Sequence, residues 1–216
     1  MIISRGRRYI FVHIPKTGGT SMALALEARA MKDDIMLGDT PKAVKRRHRV
    51  KGTASRGRLW KHSTLSDIDG LVSPEEIAAC FCFTLVRNPW DRMVSYYHWL
   101  QAQSFDHSAV RLAQSLDFSA FVCHPQTEAS FRASTAASYM TDATGQVRAD
   151  AYIRLEHLDT DLEPLQNHLG FALNLGHTNA SERKSDWRSY YSPKIAEKVG
   201  RICADDVAAF GYECNL

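Results

Sequence analysis

Tyr9-Ile10-Phe11-Val12-His13-Ile14-Pro15-Lys16-Thr17-Gly18-Gly19-Thr20-Ser21 is the stretch on which the fold turns. Its first six residues are a short, nearly continuous apolar run of the kind that forms a strand covered on both faces, most simply a buried parallel strand. The alanine-rich segment from Met22 to Ala30 that follows has high helix propensity. Strand, glycine turn and helix therefore follow one another directly. Adjacent glycines let the backbone turn tightly, so that successive N–H groups and the helix start converge on one point, an anion site. Thr17, Thr20 and Ser21 add hydroxyl donors there, and Lys16 adds a full charge. A phosphate is the ligand this pattern fits.

The same order recurs at Cys80-Phe81-Cys82-Phe83-Thr84-Leu85-Val86, which leads through Arg87-Asn88-Pro89 into a helix. Asn88 suits the N-cap, Pro89 the first helical position and Asp91 the first turn. Trp90, Met93, Val94, Tyr97 and Leu100 then recur at helical spacing, and Ser95 lies off that stripe. A third strand, Tyr152 to Leu155, precedes leucines 158, 162, 165 and 169, a helix that Gly170 stops. The closing helix runs from about Pro193 to Ala209. Strands alternating with helices imply parallel βαβ units, so the expected fold is α/β: three layers, P-loop-like, with a central mostly parallel sheet flanked by helices. Ligands of such sheets bind at the carboxyl ends of the strands.

At 216 residues the chain suits one domain spanning 1–216, with a basic loop at about 40–61 and a helical insertion at about 102–150 within it. The insertion reads as helical in pieces, at Phe118 to Val122 and Ser130 to Tyr139. The net charge is only +3, yet no acidic residue lies between Asp39 and Asp67, while nine lysines and arginines from Lys42 to Lys61 do. That segment either attracts anionic ligands or is simply a solvated loop. No apolar run approaches the ~20 residues that cross a bilayer, and no cleavable leader is evident. An odd number of cysteines, five, without disulfide-scaffold spacing indicates reduced thiols and a cytoplasmic setting. Cys80 and Cys82 have no second pair at zinc-site spacing, so no metal is expected.

A Walker A loop places its lysine after the glycines with a magnesium-binding hydroxyl beside it. Here Lys16 comes before Gly18 and Gly19, which argues against a kinase or NTPase. Ile14 to Ser21 instead resembles the 5'-phosphosulfate loop of sulfotransferases that use 3'-phosphoadenosine 5'-phosphosulfate (PAPS), and Leu85 to Tyr97 resembles their 3'-phosphate motif. The nearest branch by pattern is that of the carbohydrate sulfotransferases, including heparan sulfate 2-O-sulfotransferase and chondroitin sulfotransferases, with small bacterial members. The similarity extends to Tyr152 to Leu158 and to His177 to Ser181.

The resemblance implies that Lys16 contacts the oxygen joining phosphate to sulfate, and that Thr17, Gly18, Gly19, Thr20 and Ser21 hold the 5'-phosphate. It gives Arg87 and Ser95 the 3'-phosphate, and it implies PAPS as sulfuryl donor, PAP as product, and no required metal. A hydroxyl acceptor on a saccharide or glycoconjugate is the implied partner, with no nucleic acid. His62, in Lys61-His62-Ser63-Thr64, matches the position of the branch's catalytic histidine and is the expected base. Its rival role is a histidine capping a helix that begins near Ser63. Read alone, Arg87 is equally a cation pairing with Asp91 or Glu156, and Ser95 a solvated helix position. His13 reads as a hydrogen-bonded core histidine. Glu156 and His157 end the third strand where they can point into the site, Glu156 as a group orienting His62 or the acceptor. Lys184, with Asn179, Ser181 and Arg183, matches the stretch that closes over the nucleotide in related enzymes. Two other functions stand beside this one: a small-molecule kinase, which needs ATP and magnesium, and a non-catalytic polyanion binder, whose affinity would fall steeply with salt.

Overall fold

The computed structural model describes residues 1–176 and 186–216. In order, the elements are β1 (Ile2–Ser4), β2 (Tyr9–Val12), α1 (Gly19–Ala28), β3 (Ile35–Met36), α2 (Pro41–Arg46), α3 (Pro74–Ala78), β4 (Phe81–Val86), α4 (Pro89–Gln101), α5 (Ser108–Ser115), α6 (Phe118–Cys123), α7 (Pro125–Ala133), α8 (Ala136–Met140), β5 (Ala151–Arg154), α9 (Leu158–Asp161), α10 (Glu163–Leu169), α11 (Pro193–Ile202) and α12 (Ala204–Phe210). They fall into two compact units, one built from residues 1–86 and 136–176 and the other from 87–135 and 186–216. The sequence interval 102–150 is thus shared between the two.

The first unit carries the sheet, in the order β3-β1-β2-β4-β5. β2, β4 and β5 pair in parallel, whereas β1 is antiparallel to both its neighbours. β1 is therefore the single reversed strand of a mostly parallel sheet. The strand rhythm did not foretell it, because β1 and β2 are joined by a tight turn at Arg5 to Arg8 rather than by a helix. Arg8 there takes φ 54° and donates its N–H to the Arg5 carbonyl at 3.2 Å.

Period-two alternation distributes the strand side chains to two faces. Tyr9, Phe11, Phe83, Leu85 and Ile153 pack on one face with Met22 and Leu26 of α1 and Leu165 and Leu169 of α10. Ile10, Val12 and Cys82 pack on the other with Ile77 of α3 and Met140 of α8. Helices cover both sides, which gives the three layers. Phe11 and Phe83 face each other in the β2–β4 register, with ring centroids 5.3 Å apart. Burying each such side chain contributes roughly 1.5–3 kcal/mol, which is why this strand pair anchors the loop that follows β2.

The leucines from 158 to 169 form two short helices rather than one. Pro164 lacks the N–H that would bond back one turn and its ring crowds the preceding carbonyl, so α10 restarts at Glu163 with proline in its first turn. Gly170 does end α10, in the left-handed conformation at φ 74°. In the second unit the closing helix likewise divides at Cys203, and Asp205 and Asp206 occupy the first turn of the new helix, where the dipole favours them. Trp90, Met93, Val94, Tyr97 and Leu100 of α4 form that unit's core with α5, α6 and α11.

The acid-free segment is anchored to the first unit at several points. Glu27, buried on α1, accepts the Lys42 N–H at 2.8 Å and the Thr40 hydroxyl, capping α2 from outside its own chain segment. Arg46 and Arg49 both donate to the Asp34 carbonyl. Glu27→Ala should lower unfolding free energy by about 1.5–3 kcal/mol, since it orphans donors that a buried carboxylate satisfies. Urea denaturation measures this, and an unchanged midpoint would contradict the capping role.

Candidate active site

At the carboxyl end of β2 the backbone enters an irregular turn. Lys16 adopts φ 68° and Gly18 φ 86°, and α1 begins at Gly19 with no side-chain cap. Left-handed residues spaced in this way curl the chain so that its N–H groups point inward, and the helix start adds more that have no intrahelical partner. Gly18 is dictated by φ and by its neighbours, Gly19 by its neighbours alone. A Cβ at Gly18 would lie 2.8 Å from Leu155 Cδ1, and one at Gly19 only 2.1 Å from His13 Cδ2. Lys16, Thr20 and Ser21 are half-buried along this turn. Thr17 differs from its expected role: it is 1% exposed and donates its hydroxyl proton to the Ile14 carbonyl at 2.9 Å. That hydroxyl braces the loop, which leaves Thr17 its backbone N–H for an anion.

His62 stands beside this turn. Its Nδ1 lies 2.7 Å from the His13 carbonyl oxygen. A carbonyl only accepts, so Nδ1 carries the hydrogen and Nε2 presents a bare lone pair. The imidazole also packs edge-to-face with two neighbouring rings, His13 at 4.6 Å and Trp60 at 5.0 Å. Burial pushes His62 down from the ordinary histidine value to about 4, against the raising effect of the His13 carbonyl, and Lys61 lowers it further. The deeper His13 is held well below its ordinary value, first by burial and then by nearby positive groups including Lys61 and Lys16. Both histidines are accordingly neutral at pH 7.

No helix begins at Ser63, which removes the helix-capping alternative for His62. The segment is instead a run of turns around the fully buried Ser63, whose hydroxyl accepts the Trp60 N–H at 2.9 Å and bonds the Arg58 carbonyl at 2.8 Å. Lys61 pairs with Asp39 at 2.6 Å, and that hydrogen bond is the first cause holding the Asp39 carboxyl below its usual range. The orienting group for His62 is thus a main-chain carbonyl. Glu156 and His157 lie exposed on a 3-10 turn spanning Leu155–His157.

In the second unit, Asn88 caps α4 by accepting the N–H groups of Trp90 and Asp91. Arg87 donates from Nε and Nη2 to Asp91 Oδ2 at 2.8 and 2.6 Å, so the pairing with Asp91 is present. Ser95 is 5% exposed, contrary to a solvated position. Lys184, with Asn179, Ser181 and Arg183, lies outside the described residues. Among the described residues no group of three or more His, Cys, Asp or Glu side chains is placed to hold a metal, and no helix is long and apolar enough to cross a membrane.

Sequence reasoning passed over His13 as a site residue because its contribution comes from the main chain, which no residue type announces. The clash at Gly19 is equally silent in sequence.

The model of the Sulfotransferase family matches residues 1–213. The crystal structure of mouse sulfotransferase SULT7A1 complexed with PAP shares the fold, with a TM-score of 0.56 at 15% identity over 93% of this chain and 85% of that one. No curated protein matches the sequence.

An unfolded-chain histidine titrates near 6.5, whereas folded His62 resists protonation down to about 4. Below about pH 6.5 the unfolded chain binds the extra proton, so stability is full above that value and is lost as pH falls toward about 4, on the order of 2–3 kcal/mol from this group. Urea melts at pH 7.5 and 4.5 should show wild type losing more than His62→Gln. Equal losses would contradict a buried neutral imidazole.

Proposed function

Because this chain belongs to the sulfotransferase family, we propose that it moves the sulfuryl group of PAPS to an acceptor hydroxyl, with His62 as base and Lys16 as the group that stabilises the leaving phosphate. The observation that carries this reading is the bare Nε2 of His62, fixed at 2.7 Å by the carbonyl of His13, the residue just after the strand that feeds the loop.

His62 Nε2 takes the proton of the acceptor hydroxyl as its oxygen attacks sulfur. The new S–O bond forms as the bond from sulfur to the phosphate oxygen breaks, and the electron pair leaves with the 5'-phosphate of PAP. Lys16 lies at the strand edge of the loop, where an ammonium group offsets charge growing on that departing oxygen. Gly18, Gly19 and Thr17 offer N–H groups to the 5'-phosphate, and Thr20 and Ser21 hydroxyls as well. Arg87 and Ser95 serve the 3'-phosphate. The two hydrogen bonds to Asp91 fix the plane of the Arg87 guanidinium, a group suited to phosphate. Lys184 is proposed to close over the nucleotide.

A histidine near 4 is by itself a weak base, yet it is unprotonated at neutrality. Bound anionic donor raises its proton affinity at the moment it is used, because a nearby negative charge favours imidazolium. The acceptor is proposed to be a carbohydrate, as in the branch whose motifs the sequence resembles. A reducing, cytoplasmic setting is proposed from the odd number and wide spacing of the five cysteines in the sequence.

PAP should raise the melting temperature and ATP should do so much less. At a hundred times its dissociation constant a ligand adds about 2.7 kcal/mol of stability, well within reach of a thermal-shift assay. Equal shifts would remove the 3'-phosphate specificity. Lys16→Ala and His62→Ala should each cut sulfuryl transfer at least about a hundredfold in a folded protein, the scale of a lost charge stabiliser or general base. A fully active His62→Ala enzyme would remove histidine from the chemistry.

A further inference from the structure

Trp60 is 40% exposed, although its neighbours Lys61, His62 and Ser63 are all more sheltered. One exposed aromatic is ordinary on a protein surface; Trp60 is set apart by the two groups its ring touches. Its ring stands perpendicular to the His62 imidazole at 5.0 Å. The Arg58 guanidinium lies over the same indole, 5.1 Å from its centroid. Among the described residues Arg58 has no carboxylate partner, whereas the nearby Lys61 is already paired with Asp39. The Ser63 hydroxyl bonds the Arg58 carbonyl and accepts from the Trp60 N–H, so both residues are fixed relative to His62.

Resting on the sulfuryl-transfer reading, we propose that Trp60 and Arg58 form the acceptor subsite, the indole as a platform for the acceptor's ring and Arg58 as the partner of an anionic group on it. No side chain from Thr40 to Ser66 is acidic, and the two carboxylates at its edges are already engaged, Asp39 by Lys61 and Asp67, beside Gly57, by the Thr64 N–H. Cation–π contact holds Arg58 only weakly at an exposed ring, so an arriving carboxylate outcompetes it for the guanidinium through charge-assisted hydrogen bonds. Trp60, sharing contacts with both His62 and Arg58, couples recognition of the ring to the position of its hydroxyl.

The test uses a hyaluronan hexasaccharide and its carboxyl-reduced counterpart as acceptors, with labelled PAPS, and a PAP thermal shift on every protein. Wild type should favour the acidic acceptor. Arg58→Ala should erase that preference, the ratio of kcat/KM values falling about tenfold, with the PAP shift unchanged. Trp60→Ala should raise KM for the acidic acceptor about tenfold with kcat nearly kept, and Trp60→Phe should recover most of it. Equal use of both acceptors by wild type, or unaltered KM and preference in the variants, overturns the subsite. Transfer to neither saccharide with an intact PAP shift overturns it as well while sparing the donor assignment; no PAP shift in wild type overturns the reading beneath it.

Discussion

The hydrogen bond from His62 Nδ1–H to the main-chain carbonyl of His13, 2.7 Å long, is the contact on which the rest of the site depends. Because the acceptor is a carbonyl, only one tautomer satisfies it, and the nitrogen left over is the one able to take a proton. The carbonyl belongs to the residue that follows β2, whose side chains Phe11 and Val12 are locked into opposite faces of the core. The base is therefore positioned by the sheet itself. Residue 13 performs a second task, since its ring packs against the backbone of Gly19 at the start of α1. One residue thus joins the strand, the anion-binding turn and the imidazole.

That arrangement trades basicity for order. Burial beside another imidazole and Lys61 drives His62 to about 4, which would be a poor choice if the site stayed unoccupied during turnover. It suits a reaction whose donor brings several negative charges, because the same low-dielectric surroundings that depress the pKa also amplify the effect of an anion. The acid-free surface running from Thr40 to Ser66 acts in the same direction.

The strand, turn and helix around Lys16 were legible because each step has a local signature: an apolar run, paired glycines, an alanine-rich stretch. Asn88, Pro89 and Asp91 announced α4 in the same way, and all three stand where their chemistry puts them. What escaped was set by tertiary context. The reversal of β1 rests on a four-residue turn of mostly arginine, without the usual glycine-pair or asparagine–glycine signal. The break ahead of α10 overrode a clean leucine period because Pro164 denied it a bond. Thr17 looked like a phosphate hydroxyl, but its proton goes to Ile14 once the loop closes on itself. His13 acts through its main-chain carbonyl, and its part depends on segments 49 residues apart meeting.

Nitrogen-15 NMR of the histidine rings at neutral pH measures the central claim directly. It should find His62 in a single neutral form, hydrogen on Nδ1 and Nε2 unprotonated. A proton on Nε2, a mixture of tautomers, or an imidazolium at that pH would contradict the account.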